Sequence, residues 1–61
     1  MKLVEFTDSV SDTPVHVEKD HVQEVRPEPN DPANITVIYY DNGKQVGVKG
    51  KHTDVAKKLN S

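Results

Sequence analysis

The sequence has 61 residues, enough for one small domain over residues 1–61. A third of it is apolar, ten residues are valine and none is cysteine, so disulfides, thiolate nucleophiles, Cys-ligated zinc and Cys-held iron–sulfur clusters are excluded. The net charge of −2 conceals an asymmetry: residues 1–32 carry eight acids and three bases, residues 33–61 two acids and five lysines. A chain charged in this way suits an anionic partner at its C-terminal half, or pairing with itself.

No apolar run approaches the ~20 residues of a membrane helix. Met1-Lys2-Leu3-Val4-Glu5 meets a charge before an apolar h-region forms. The expectation is a cytoplasmic chain without membrane contact. A domain this small buries only about 60% of the surface its unfolded chain exposes. Its thin core makes a pocket hard to enclose without oligomerising.

Lys2–Thr7, carrying Leu3, Val4 and Phe6, reads as a strand ended by the Asp-, Ser- and Pro-bearing turn at 8–14. Val15-His16-Val17-Glu18 alternates apolar and polar and predicts a short strand with its valines inward. Lys19-Asp20-His21 makes a turn, and Val22 and Val25, three apart, suit one helical turn or a strand containing a bulge, with an extended segment to about Arg26 favoured. Pro27, Pro29 and Pro32 then break the chain into an exposed loop, because each removes a backbone donor and pushes its predecessor out of the helical region.

Ile35-Thr36-Val37-Ile38-Tyr39-Tyr40 is β-branched and aromatic throughout and predicts the best strand of the chain. It runs into Asp41-Asn42-Gly43-Lys44, where Asn-Gly supplies the positive φ angles of a type I′ turn. With Asn42-Gly43 as a two-residue loop, Tyr39 faces Val46, Val37 faces Val48 and Ile38 faces Gly47. One face then holds Ile35, Val37, Tyr39, Val46 and Val48, and the other Thr36, Ile38, Tyr40, Gln45 and Lys49. A short helix starts at His52 or Thr53, with Thr53 the better N-cap and Asp54, Lys57 and Lys58 placed to suit the helix dipole. Val55 and Leu59 share one side of it and lie on the valine face. The expected fold is α+β, mainly β: an antiparallel sheet of four to five strands with one short C-terminal helix on one face.

Motifs for chemistry are weak. Gly50-Lys51-His52-Thr53 lacks the glycine spacing and the Lys–Ser/Thr succession of a phosphate-binding loop. His16, Glu18, Asp20 and His21 meet around a turn but show no standard zinc spacing. Nothing selects a Ser–His–Asp triad, and Asn34-Ile35-Thr36 matches the glycosylation pattern incidentally. The expectation is therefore no catalytic, cofactor-binding or metal-ligating residue, and no enzyme.

The surface says more. With the helix on the valine face, Thr36, Ile38 and Tyr40 would lie on an uncovered face, which marks a contact with a protein partner or a second copy. The alternative is an anionic-ligand or nucleic-acid site made by Lys44, Lys49, Lys51, Lys57 and Lys58. An acidic overall balance with a single arginine weighs against nucleic acid.

The stretches Lys19–Val25, Ile35–Tyr39, Asp41–Lys44 and Asp54–Leu59 together resemble the layout of the small flagellar FlbD-like proteins of bacteria. The resemblance spans most of the chain, without that family's Glu-Ser before the helix or its early Asn-Gly, and with longer loops at 8–14 and 27–33. It implies a non-enzymatic accessory or regulatory role in the cytoplasm and transfers no catalytic residue.

Overall fold

A computed structural model describes residues 2–61. Among them, β1 (Leu3–Thr7) and β2 (Pro14–Glu18) pair as an antiparallel hairpin. A 3-10 turn at Lys19–His21 leads to β3 (Val22–Pro27), β4 (Ile35–Tyr40) and β5 (Gln45–Lys49), a second antiparallel sheet in that order. The helix α1 (His52–Leu59) follows. The mainly β fold with a C-terminal helix on one face is as expected, with its strands divided between two sheets. None of the described helices is long and apolar enough to cross a membrane.

The first hairpin turns Val4, Val17, Phe6 and Val15 to one side, because the cross-strand pairs Val4–Val17 and Phe6–Val15 alternate with pairs of polar or exposed residues. Its loop is held by Asp8, whose carboxylate accepts the N–H groups of Val10 (2.8 Å) and Ser11 (3.1 Å). Asp12 completes the turn in the left-handed region at φ 60°. The two sheets meet where Asp8 forms a single bridge to Val48 and Ser9 N–H donates to Gly47 C=O at 2.9 Å. A Cβ on Gly47 would stand 2.8 Å from Ser9 Oγ, which would have to rotate aside to admit it.

The core between the sheets is Phe6, Val17, Ile38, Val48, Val55 and Leu59. The eight residues of α1 are too few for an independent helix, and Val55 and Leu59 hold it against this cluster. The helix begins at His52 with Lys51 at the N-cap, not at Thr53, and no side chain caps it. Ahead of it Gly50, at φ 131°, gives its N–H to Asn34 C=O and receives the hydroxyl of fully buried Thr36 at 2.8 Å.

The second hairpin corrects the two-residue loop. Gly43 N–H bonds to Tyr40 C=O (3.1 Å) and Tyr40 N–H to Lys44 C=O (2.8 Å), leaving Asp41-Asn42-Gly43 as a three-residue loop. Among the described residues of this turn only Gly43 has a positive φ, 87°, so the turn is type I closed by a glycine bulge and not type I′. One extra loop residue shifts the register by one. Ile38 faces Val46, Thr36 faces Val48 and Val37 faces Gly47. The faces of β4 are thereby exchanged: Thr36, Ile38 and Tyr40 turn to the core and helix, while Ile35, Val37 and Tyr39 turn away from it. Thr36, Ile38 and Tyr40 are therefore not an exposed contact face. Thr36 and Ile38 are fully buried, and Tyr40 packs on the core.

Two stability changes follow from this arrangement. Ile38→Ala removes a fully buried side chain and costs about 2–5 kcal/mol, which is most of what a core this small supplies, whereas Tyr39→Ala costs well under half as much. Lys51→Ser places a hydroxyl at the uncapped helix start and raises stability by about 0.5–1 kcal/mol. Urea unfolding of the three variants measures both effects.

Candidate functional site

The apolar row on the side away from α1 is built by β4 alone. It is the middle strand, so Ile35, Val37 and Tyr39 lie between two flanking strands on the face opposite α1. Arg26 on β3 stands beside Val37, and Glu24 beside Tyr39. Arg26 Nε donates to Glu24 Oε2 at 2.9 Å, and that hydrogen bond, with the carboxylate's charge, raises the guanidinium pKa further. Val37 is 9% exposed, whereas Ile35 and Tyr39 are half-buried. The site is thus an apolar strip with a charged border along β3.

The five lysines do not form one cluster. Lys44 is at the hairpin tip, and Lys49 is paired with Asp12 of the first loop. Lys51 occupies the N-cap position without capping the helix through its side chain, and lines an open cleft with Lys49, Asp31 and Asp54. Lys57 is exposed in the last helical turn. Lys58 donates to Glu5 C=O and holds its ammonium 4.9 Å from the Phe6 ring centroid, so it fastens the helix to β1.

A second feature lies where the sheets adjoin. An open cleft of about 530 Å³ is lined by Leu3, His16, Glu18, His21, Tyr40 and the hairpin tip. His21 is its centre. Nδ1 lies 3.0 Å from Asp41 Oδ2, Nε2 lies 3.8 Å from Glu18 Oε2, and its C=O accepts Asp41 N–H at 2.9 Å. The hydrogen bond to Asp41, then the charges of Asp41, Glu18 and Asp20, raise the imidazole pKa above its ordinary 6.5. His16 pairs separately with Glu5 at 3.7 Å. Burial, followed by the charge of Glu18, raises the Tyr40 phenol. Among the described residues no group of three His, Asp or Glu side chains is placed to hold a metal ion. The His21–Asp41 pair has no signal in the sequence, since twenty positions separate its members and only the β3–β4 pairing brings them together.

No family model matches this chain, and no curated protein or solved structure matches it either.

The shifts fix a pH response. His21 is raised in the folded state, so its contribution is complete below pH 6.5 and is lost as pH rises through the higher folded value. Asp8 is lowered by the Ser11 and Val10 amides, so its contribution is present above pH 3.8 and is lost as pH falls through the lower folded value. The melting temperature should therefore decline as pH rises from 6.5 through the raised His21 value. Asp41→Asn should flatten that decline while leaving the acid limb in place, as thermal melts across the range will register.

Proposed function

We propose that this chain is a non-enzymatic module that works by protein–protein contact, foremost self-association, through the side of the three-stranded sheet opposite its helix. The observation that carries this reading is the second apolar row of β4. An antiparallel sheet commonly exposes one face to water, and that face is then polar. Here that side carries Ile35, Val37 and Tyr39, with Val37 buried and Ile35 and Tyr39 half-buried. Apolar patches bordered by charge mark protein contacts. A thin core gives the same direction, because association is one way a small domain gains stability.

The layout resemblance to FlbD-like flagellar proteins adds an accessory or regulatory role in the bacterial cytoplasm. The anionic-ligand alternative draws less support, because Lys49 and Lys58 are engaged within the fold and Lys44 stands apart from the helix lysines. A nucleic-acid site built on them would bind with a steep salt dependence.

Sedimentation equilibrium over a range of concentrations tests the proposal. The wild type should exceed its monomer mass, and Tyr39→Glu should raise the dissociation constant about tenfold or more while retaining its circular dichroism spectrum. Tyr40→Glu should instead unfold the chain, since Tyr40 packs on the core. A monomeric mass at every concentration defeats self-association. Salt-sensitive binding of mixed DNA and RNA oligonucleotides would favour the lysine reading in its place.

A further inference from the structure

We infer that two copies of this chain join edge to edge through β3, as an antiparallel pair about a two-fold axis at Val25. The inference rests on the self-association of the reading above and places the contact at the β3 edge of the sheet rather than on its outer face.

β3 is the end strand of its sheet, and among the described residues no strand pairs with its outer edge. Glu28 N–H donates to Ile35 C=O at 3.0 Å, and Arg26 and Glu24 stand opposite Val37 and Tyr39. In an antiparallel ladder, alternate residues bond to the same neighbour, so Glu24, Arg26 and Glu28 address β4 while Val25 and Pro27 turn their main chain outward. Pro27 has no N–H to offer, and the register shift between Val22 and Glu24 interrupts the strand at its other end. The edge is blunted at both ends and open in the middle, where Val25 presents both its N–H and its C=O. A second Val25 satisfies both groups reciprocally.

That axis fixes every other partner. With Val25 opposite its own copy, Glu24 of one chain stands opposite Arg26 of the other, and the reverse holds across the axis. This is a non-hydrogen-bonded position of the new pair, where facing side chains come closest. The Glu24–Arg26 bond within each chain then becomes half of a ring of four alternating charges. On the opposite face, an open groove of about 230 Å³ runs between β3 and α1, lined by the apolar Val22, Val25, Ala56 and Leu59 and rimmed by Lys19, Glu24 and Asn60. A two-fold axis perpendicular to the sheet keeps both helices on one side, so the two grooves meet and cover their half-buried valines. Charge pairing on one face and apolar closure on the other arise from a single register.

Charge exchange tests it. In sedimentation equilibrium the wild type should dimerise. Glu24→Arg or Arg26→Glu places like charges opposite each other twice and should raise the dissociation constant about tenfold or more, and the double exchange should return it to within about threefold of wild type. Amide hydrogen exchange of the wild type supplies a second reading that needs no variant: Val25 N–H should slow as concentration rises. A monomeric wild type overturns both this inference and self-association. A dimer that Tyr39→Glu weakens but the single charge changes leave intact, a double exchange no better than its singles, or a Val25 amide indifferent to concentration overturns the edge geometry alone.

Discussion

Side-chain parity along β4 is decided at the turn that follows it. Because successive strand residues point to opposite faces, one residue more or less in the loop exchanges the inward and outward sets. With Asp41-Asn42-Gly43 as the loop and Gly43 in the left-handed region, Ile38 joins Val46 over the core and Thr36 joins Val48. The hydroxyl of Thr36 then reaches the Gly50 carbonyl, which positions the entry to α1, and the helix returns Val55 and Leu59 to Ile38. The outward set, Ile35, Val37 and Tyr39, is a by-product of the same parity. Core, helix placement and candidate contact strip all depend on one loop length.

The two sheets are held together by few specific contacts. Asp8–Val48 is a single bridge, Lys58 fastens the helix to the Glu5 carbonyl, and His21 receives the hairpin tip through Asp41. The shared hydrophobic cluster does the larger share of the joining, with Phe6 and Val17 from one sheet meeting Ile38 and Val48 from the other. His21 and Asp8 thus modulate a union that apolar burial maintains.

Much of this was legible in the residues. The strands, the Pro-rich loop and the helix follow from local composition and periodicity, whereas the spacing of Val22 and Val25 suited a helical turn as well as the bulge the strand contains. The parity of β4 was not, because Asn-Gly serves both a type I′ turn and a type I turn with a glycine bulge, and both loops leave Val46 and Val48 on one face. The choice is made by contacts distant in sequence: Thr36 with Gly50, and Ile38 under α1. The same limit applies to the helix start. Thr53 has the better capping chemistry, but after the Gly50 turn and its bond to Asn34 the N-cap falls on Lys51, two residues earlier. Because β4 is apolar on both sides, the exchange of faces puts Ile35, Val37 and Tyr39 on the side away from α1 where Thr36, Ile38 and Tyr40 were expected.

The single bridge between β1 and β5 also bears on how the chain acquires its structure. Each sheet is a meander whose strands are neighbours in sequence, closed by loops of three to seven residues. Such hairpins form on a scale of about 1–10 μs. Neither sheet buries its valines until the other arrives, so the hairpins are transient until they dock. The step expected to limit the rate is then the meeting of Phe6 and Val17 with Ile38 and Val48, because these are the contacts that join the two sheets.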